Sequence, residues 1–361
     1  MIIESMELKN FRNYRELQLH FDAKTNIFYG DNAQGKTNIL EAVYLSGTTK
    51  SHKGSRDRDM ILFGEDEGHL RTFVKKGEIE YQIDIHLKKN KTKGIAINGV
   101  PIRKASELFG IANFVFFSPE DLSIIKQGPG ERRRFLDMEL CQLDKVYLHH
   151  LANYNRIVVQ RNKLLKDLSF RPELKDTLDI WDIQMAEYGK KIIESRNAFI
   201  ESLGEIIRGI HEKLSGGKEE LTLSYEKHVG AEELYDAITR SRDRDIRMKT
   251  SNVGPHRDDL MFVIGGVDIR KFGSQGQQRT AALSLKLSEI ELVKQVIHDT
   301  PVLLLDDVLS ELDHNRQNYL LDSIHDIQTL ITCTGVDEFV NHRFEVNKVF
   351  HVQSGQVIKE N

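Results

Sequence analysis

The stretch that decides the fold is GDNAQGKT, residues 30–37, which fits the pattern G-x-x-x-x-G-K-[ST] of a phosphate-binding loop. Gly30 and Gly35 let the backbone turn tightly and bring its N–H groups against phosphate oxygens, where a side chain would block the approach. Lys36 can then reach the terminal phosphates, and Thr37 offers a hydroxyl group to Mg²⁺. The residue types therefore predict a site for a nucleotide and its metal ion.

The surroundings of this loop favour the same interpretation. The short apolar run at residues 27–29 predicts a strand that leads into the loop, and NILEAVYL after it predicts a helix whose positive end faces the anion. The alternative is an ordinary glycine-containing turn between a strand and a helix, but the four fixed positions match by chance in roughly one chain in a hundred. We therefore predict ATP binding by Gly30, Asp31, Asn32, Ala33, Gln34, Gly35, Lys36, Thr37 and Asn38.

A second stretch, PVLLLDDVLSELD at residues 301–313, predicts a strand buried on both faces of a parallel sheet and ending in two carboxylates. Ligands of open α/β sheets bind at the carboxyl ends of the strands. Asp306 would hold Mg²⁺ together with Thr37, while Asp307 would polarise the attacking water and act with Lys36 in catalysis. Without the phosphate-binding loop, a solvated acidic turn would be the preferred interpretation.

A third stretch, GSQGQQR at residues 273–279, precedes a predicted helix, so that Ser274 and the N–H groups near Gly276 lie at a positive helix terminus. The alternative is a polar loop in which Ser274 is a plain N-cap. The stretch resembles the LSGGQ signature of ATP-binding-cassette ATPases, although Gln275 stands where the first signature glycine is usual. SELD at residues 310–313 resembles their D-loop. The resemblance implies that a partner subunit's γ-phosphate is met by Ser274, Gln275, Gly276 and Gln277, and that Ser310 and Asp313 lie across the dimer interface.

Four further segments narrow the resemblance: the first is similar to the entry strands of SMC-like DNA-repair ATPases, and the other three resemble the RecF family. They are MELKNFRNYRELQLHF at residues 6–21, TTKSHKGSRDRDMI at 48–61, FFSPEDLSIIKQGPGERRRFLD at 116–137 and SNVGPHRDDL at 251–260. The resemblance implies an α/β fold, a P-loop ABC-type ATPase head with a mixed sheet whose N-terminal part is antiparallel. It also implies ATP and Mg²⁺ as cofactors and a place for Arg12 near the nucleotide.

Departures from the cassette pattern sharpen this expectation. Asp307 replaces the glutamate of transporters and of many SMC heads, and its shorter side chain lies further from the water, so we expect slow hydrolysis. Cys333 stands where cassette ATPases carry a switch histidine, and either Thr332 or Thr334 would contact the γ-phosphate instead. SHK at residues 51–53 replaces the expected SHR but retains the positive charge.

Between the loop and the signature, the apolar pattern changes to alternating three- and four-residue spacings. Two such stripes, 140–168 and 178–210, flank a break at residues 170–172 and predict two helices that fold back as a short antiparallel coiled coil. Each helix would be on the order of 40 to 50 Å long. The core of a helical subdomain is the alternative. We expect residues 1–130 to form the N-terminal part of the head, 131–250 an inserted helical lobe and 251–361 the C-terminal part of the head.

Composition limits the location and the mode of DNA contact. The 361 residues carry a formal net charge of −4, so any DNA contact must come from local basic clusters. Only two cysteines, no signal peptide and no apolar run of about 20 residues lead us to expect a cytoplasmic protein without a membrane segment. Each basic cluster could equally be a solvated face, and the candidates for DNA contact are Lys53, Arg56, Lys88, Lys89, Lys91 and Lys93.

The sequence as a whole indicates an ATP-gated DNA-binding switch. By resemblance, we expect an ATP-dependent homodimer that closes on double-stranded DNA at gaps or junctions and is released by slow, DNA-stimulated hydrolysis. The resemblance also implies RecR-like and RecO-like partners, help in loading a recombinase on single-stranded DNA, and roles in replication and the SOS response. The alternatives are an SMC-type head that serves a nuclease or a structural tether, and the nucleotide-binding subunit of a transporter.

Overall fold

The computed structural model describes residues 1–335 and 346–360. The strands are β1 Ile2–Phe11, β2 Tyr14–His20, β3 Thr25–Tyr29, β4 Glu67–Lys76, β5 Ile79–Lys88, β6 Gly94–Ile97, β7 Val100–Pro101, β8 Phe114–Phe117, β9 Leu221–Glu226, β10 Asp259–Ile264, β11 Val267–Asp268, β12 Val302–Asp306, β13 Thr329–Cys333, β14 Lys348–Gln353 and β15 Gln356–Glu360. The helices are α1 Lys36–Thr48, α2 Leu122–Lys126, α3 Pro129–Leu143, α4 Lys145–Asp167, α5 Leu178–Leu214, α6 Leu234–Arg240, α7 Arg242–Met248, α8 Ile269–Phe272, α9 Gln275–Ile297 and α10 His314–Asp322.

The chain divides into two compact units. The first unit comprises residues 1–121 together with the chain from residue 289 onward, and the second unit comprises residues 122–288. These units differ from the three predicted segments, because residues 251–288 belong with the helical part. The reason is local pairing: β10 forms an antiparallel ladder with β9, and Arg132 of α3 binds Asp259 of β10 at 2.5 Å.

The first unit contains two six-stranded sheets. The N-terminal sheet has the order β2-β1-β4-β5-β6-β7 and is antiparallel throughout, which confirms the expected antiparallel N-terminal part of the head. The second sheet has the order β15-β14-β3-β13-β12-β8, and its strands are parallel except for the terminal hairpin. The predicted strand at residues 302–305 lies inside this sheet and is fully buried, as continuous apolar runs in parallel sheets are.

The register of the second sheet brings three strand ends to one edge. Asp306, the last residue of β12, pairs with Thr332 of β13, and Cys333 pairs with Tyr29 at the end of β3. Because all three strands are parallel, their carboxyl ends lie side by side. This edge therefore carries the start of the loop at Gly30, the two carboxylates and the threonine of β13.

The second unit is built around the antiparallel pair α4 and α5. Tyr147 bonds Arg196, and Arg161 bonds Asp182, so the two helices run in opposite directions as predicted. The predicted stripe 140–168 is divided between two helices, because α3 ends at Leu143 and the Asp144 carboxylate caps α4 by accepting the Val146 N–H. Helices of 23 and 37 residues are about 35 and 56 Å long.

The interface between α4 and α5 contains a buried arginine in the middle of the first apolar stripe. Arg161 is fully buried, and its guanidinium donates to Asp182 and Asp245, at 2.7 Å each, and to the Ser251 hydroxyl at 2.8 Å. A buried charge is tolerated when it is paired and hydrogen-bonded in this way. Arg161 thus connects the helical pair to α7 and to the segment after it. Within residues 1–335 and 346–360, no helix has both the length and the apolar character required to cross a membrane.

Candidate nucleotide-binding site

The loop between β3 and α1 has a backbone that only glycine allows at two positions. Gly30 and Gly35 have φ angles of +148° and +116°. A Cβ atom on Gly30 would collide with the carbonyl oxygen of Val352, and one on Gly35 would lie 2.8 Å from the Tyr14 hydroxyl. The loop can therefore turn into helix α1 and present its N–H groups only with these two glycines.

Lys36 is held inside the loop. Its ammonium group donates to the carbonyl oxygens of Gly30, at 2.5 Å, and Asp31, at 2.8 Å, and the residue is only 7% exposed. These bonds fold the side chain back over the concave face of the loop, at the N-terminal end of α1. A fixed ammonium group at a positive helix end suits the terminal phosphates of a nucleotide.

A hydroxyl group and a carboxylate meet beside the loop. Thr37 Oγ1 lies 2.7 Å from Asp306 Oδ1, and Thr332 donates to the same carboxylate oxygen, also at 2.7 Å. Asp306 is nearly buried, although it lies at the carboxyl end of its strand. Hydroxyl and carboxylate oxygens are the hard ligands that Mg²⁺ takes beside nucleotide phosphates, so the pair Thr37 and Asp306 fits this ion.

The second carboxylate, Asp307, sits on a strained backbone. Its φ angle is +53°, and its N–H donates to the hydroxyl group of Thr332 at 3.0 Å and to the carbonyl oxygen of the same residue at 3.2 Å. Burial raises the pKa of the Asp307 carboxyl above its ordinary value, Lys36 opposes this shift, and the adjacent Asp306 adds to it. Strain of this kind persists where the surroundings fix it, and it is common at functional sites.

These groups converge on one pocket, formed entirely by the first unit. Its lining comprises Asn32, Ala33, Gln34, Gly35, Lys36, Thr37, Asn38, Lys53, Asp306, Asp307 and Thr332. Thr334, the other candidate switch residue, lies beyond the end of β13, is exposed and is not part of this lining. The structure thus brings together the loop, the two carboxylates and one of the two threonines.

Arg12 is not part of the pocket lining. Its guanidinium forms two bonds with the buried Glu41 of α1, at 2.6 and 2.7 Å, and further bonds with the Ser55 hydroxyl and the Asp59 carbonyl. Burial would raise the pKa of the Glu41 carboxyl, but the bonds from Arg12 and Ser51 outweigh it and leave that pKa below its ordinary value. In this arrangement Arg12 anchors α1 to the segment that follows it.

Lys53 lies in the pocket, where the sequence had placed only a candidate for DNA contact. Its N–H donates to the Ser51 hydroxyl at 3.1 Å, and that hydroxyl group in turn bonds the buried Glu41. The segment 51–53 is therefore tied to α1, and Lys53, an exposed residue, is part of the pocket lining. The positive charge that SHK retains at residue 53 could have indicated this position, because a lysine suits an anionic ligand such as a nucleotide phosphate.

The remaining candidates for DNA contact differ in how free their side chains are. Lys93 is engaged by Asp57 at 2.7 Å and by the Thr49 carbonyl at 2.5 Å. Lys89 forms an exposed ion pair with Asp66 at 3.3 Å. Arg56 and Lys91 are exposed, and Lys88 is half-buried at the end of β5. Their role in DNA contact stays a prediction.

The C-terminal hairpin of the first unit braces the phosphate-binding loop. Gln34 accepts the Gly355 N–H at its carbonyl oxygen, at 3.1 Å, and the Ser354 N–H at its side-chain oxygen, at 2.6 Å. Asn13 also donates to the Gln34 carbonyl, at 3.0 Å. Sequence reasoning missed this brace, because the hairpin follows the loop by some 320 residues.

The signature residues belong to the second unit, at the start of α9. Ser274 and Gly276 are exposed, while Ser274 and Gln277 cap the helix with reciprocal bonds of 2.9 and 3.2 Å. In the first unit, Ser310 donates to the Asp307 carbonyl at 2.9 Å, and Asp313 caps α10 by accepting the Arg316 N–H at 3.1 Å. Both of these D-loop candidates are exposed.

Comparisons with known proteins agree along nearly the full chain. The family model "RecF/RecN/SMC N terminal domain" matches residues 2–358. A DNA replication and repair protein RecF from Agathobacter rectalis is 65% identical over 99% of each chain, and one from Lachnospira eligens is 61% identical over 100% of each chain.

Among solved structures, one described as "recombination mediator protein RecF-ATP in RecFOR pathway" is 36% identical, covers 100% of this chain and 97% of its own, and has a TM-score of 0.92. An Smc head domain from Pyrococcus furiosus is 18% identical over 100% of this chain and 96% of its own, with a TM-score of 0.57. The latter likeness concerns the fold alone, which is that of an ABC-type ATPase head.

Proposed function

Since this chain belongs to the RecF family within the RecF/RecN/SMC N-terminal domain group, we propose that it is an ATP-binding protein of DNA replication and repair that uses ATP to control its residence on DNA. The observation that carries the proposal is the convergence of Lys36, Thr37, Asp306 and Asp307 on one pocket. These four residues supply an ammonium group, a hydroxyl group and two carboxylates where nucleotide phosphates would lie.

The residues of the pocket support slow hydrolysis of ATP. The loop N–H groups and Lys36 would hold the phosphates, and Thr37 with Asp306 would hold Mg²⁺, which supplies charge neutralisation when bound. Asp307 would orient the attacking water and accept its proton. Its raised pKa favours proton acceptance, whereas its short side chain limits the rate. We therefore propose a weak, DNA-stimulated ATPase that acts as a switch.

Exposed signature residues support a sandwich of two copies. Ser274 and Gly276 stand at the positive end of α9, in a unit that contributes no residue to the described pocket lining. We infer that Ser274, Gln275, Gly276 and Gln277 meet the γ-phosphate bound by a second copy, with Ser310 and Asp313 across the interface. ATP would close this homodimer around double-stranded DNA at gaps or junctions, and hydrolysis would release it.

The solved relative described as a recombination mediator in the RecFOR pathway supports the biological part of the proposal. By analogy, RecR-like and RecO-like proteins would be partners, and the task would be to assist loading of a recombinase on single-stranded DNA. A rival is an SMC-type head that serves a tether, but α4 and α5, at about 35 and 56 Å, are short for that purpose. A transporter subunit is the other rival, and its hydrolysis would not respond to DNA.

Sedimentation of the wild type with ATP, with ADP and without nucleotide, each with and without duplex DNA, tests the proposal. We expect a dimer only with ATP. The Ser274→Arg variant should form none, because the large arginine side chain would prevent the signature from approaching the γ-phosphate bound by the second copy. Lys36→Met should abolish both the dimer and the turnover. Asp307→Asn should accumulate an ATP-bound dimer. A wild type that stays monomeric with ATP and DNA would refute the sandwich.

A further inference from the structure

A chain of hydrogen bonds leads inward from the exposed start of α9. The Ser274 N–H donates to Gln277 Oε1 at 2.9 Å, and the Gln277 N–H donates to Ser274 Oγ at 3.2 Å. This reciprocal pattern is a capping box, with glutamine as the distal partner. Because Ser274 Oγ accepts a bond from within the helix end, its hydroxyl hydrogen is left to donate outward.

The side-chain amide of Gln277 is itself oriented by a carboxylate. Its Nε2 donates to Glu219 Oε1 at 2.9 Å, while its Oε1 faces the Ser274 N–H. A carboxylate only accepts hydrogen bonds, so it fixes which end of the amide points toward it. Glu219 therefore determines that the amide oxygen, and not the nitrogen, faces Ser274.

Glu219 is fastened to the end of the long helix α5. The Ser215 hydroxyl, one residue beyond that helix, accepts the Glu219 N–H at 3.3 Å. His211, in the last turn of α5, lies with its Nε2 3.5 Å from Glu219 Oε2. The other ring nitrogen of His211 lies 2.9 Å from the hydroxyl oxygen of Ser284, on α9 itself. Glu219, His211 and Ser284 thus place the last turn of α5 beside the first half of α9, with Glu219 held by Ser215 and α9 contacted by His211.

We propose that Glu219 is a positioning residue for the signature motif. Through Gln277 it holds the N-terminal end of α9 in the arrangement that receives the γ-phosphate of a nucleotide bound by a second copy, and it joins this end to α5. The proposal rests on the function proposed above, because it assumes that the signature engages a second copy. In this role Glu219 does not touch the nucleotide.

The neighbouring residue provides a matched control. Glu220 has the same charge and length, but it is 66% exposed and pairs with Arg208, which is 62% exposed, at 3.2 Å. A surface pair of this kind contributes little to stability. Removal of Glu220 therefore reproduces the change in net charge without disturbing the bond to Gln277.

The test compares the wild type with Glu219→Ala, Glu219→Gln and Glu220→Ala. Sedimentation gives the ATP-dependent dimer dissociation constant, and titration of the monomer with a fluorescent ATP analogue gives the nucleotide affinity. We expect Glu219→Ala to weaken the dimer about tenfold, because a bond to a charged acceptor is lost at each of two signatures. Glu219→Gln retains an acceptor for Gln277 and should recover most of this loss. Glu220→Ala should match the wild type.

Nucleotide affinity of the monomer should be unchanged in all three variants, since the pocket lining lies in the first unit. In a double-mutant cycle on the dimer dissociation constant, Gln277→Ala should weaken the dimer little further when Glu219→Ala is already present. A wild type that dimerises with ATP, together with a Glu219→Ala variant that dimerises equally well, would overturn the positioning role alone. An additive cycle would also overturn it. A wild type that never dimerises would overturn the function proposed above, and this inference with it.

Discussion

Thr332 donates its hydroxyl hydrogen to Asp306 over 2.7 Å, which joins the end of β13 to the end of β12 at the pocket edge. The same hydroxyl oxygen accepts the N–H of Asp307 at 3.0 Å. One buried side chain therefore fixes both the carboxylate proposed for Mg²⁺ and the backbone of the residue proposed to orient water. Thr332 thereby favours the conformation in which Asp307 has a positive φ angle.

We predict that Thr332→Val lowers ATP turnover by about tenfold or more and the free energy of unfolding by about 1–3 kcal/mol. Valine retains the shape but removes the hydroxyl bond to the Asp306 carboxylate and the hydroxyl acceptor of the Asp307 N–H, which leaves Asp306 with only the Thr37 bond and Asp307 with only the longer bond to the carbonyl of residue 332. Thr334→Val is the control, because Thr334 is exposed and lies outside the pocket lining. Steady-state hydrolysis and urea unfolding check both variants. A loss of turnover in Thr334→Val together with normal turnover in Thr332→Val would assign the switch to Thr334 instead.

The choice between these two threonines illustrates what the sequence could predict. The phosphate-binding loop, the strand before Asp306 and the helical pair were predictable, because each is a local pattern of residue types or spacing. The pairing of Asp306 with Thr332 depends on the register between two parallel strands, which the pattern of either strand leaves open. The sequence therefore predicted the site but not which threonine completes it.

Lys53 gives a second test, of a residue that the sequence assigned to DNA and the structure places in the pocket. We predict that Lys53→Gln weakens ATP binding roughly 3- to 10-fold without DNA, because an ammonium group close to phosphates is lost. Arg56→Gln, three residues away and exposed, removes the same charge outside the lining and should leave ATP binding unchanged. Titration with a fluorescent ATP analogue measures both. Normal ATP binding by Lys53→Gln, with weaker DNA binding, would instead assign Lys53 to DNA contact.

Long-range bonds account for the other differences between sequence and structure. Arg12 and Glu41 are 29 residues apart, and the sequence around Arg12 does not indicate that its guanidinium forms two bonds with a carboxylate of α1. The polar seam of the helical pair is similar, since Arg161 breaks the apolar pattern but its partner Asp245 lies 84 residues further along the chain. Such pairs depend on the folded topology, which residue spacing alone does not determine.

We predict a pH dependence of stability from His256 in the second unit. Its Nε2 donates to the Ser251 carbonyl at 3.0 Å, so its Nδ1 must accept the Tyr154 hydroxyl hydrogen at 2.7 Å. The pKa of this imidazole is lowered to about 4, mainly by burial and also by nearby positive charges, including Arg257, while the bond to the Ser251 carbonyl opposes the decrease. The ordinary value is 6.5. Between these values the unfolded chain binds a proton that the folded chain does not.

The free energy of unfolding should therefore decrease as the pH falls from 6.5 toward 4, by on the order of 2–3 kcal/mol from this residue. His256→Gln keeps one acceptor and one donor but cannot titrate, so its loss over this window should be smaller than that of the wild type. His20→Gln, at an exposed position on β2, is the control. Urea unfolding at several pH values measures the difference. Parallel curves for the wild type and His256→Gln would contradict the assignment.

The brace between the C-terminal hairpin and the phosphate-binding loop gives the last prediction. Gly355 has a φ angle of +72°, and a Cβ atom there would collide with the Asn13 carbonyl oxygen. We predict that Gly355→Ala lowers ATP affinity about tenfold, because the hairpin must move away from Gln34 and release the loop that it holds.

Gly99 provides a control that separates this collision from simple backbone strain. Its φ angle is +77°, close to that of Gly355, but a Cβ atom there would meet nothing within 4 Å. Both alanine variants should therefore lose about 1 kcal/mol of stability from the left-handed backbone, and only Gly355→Ala should also lose ATP affinity. Thermal unfolding and ATP titration of the two variants measure these effects separately. Equal ATP affinities would mean that the hairpin does not brace the loop, since the bonds from residues 354 and 355 to Gln34 would then be dispensable for holding the phosphates.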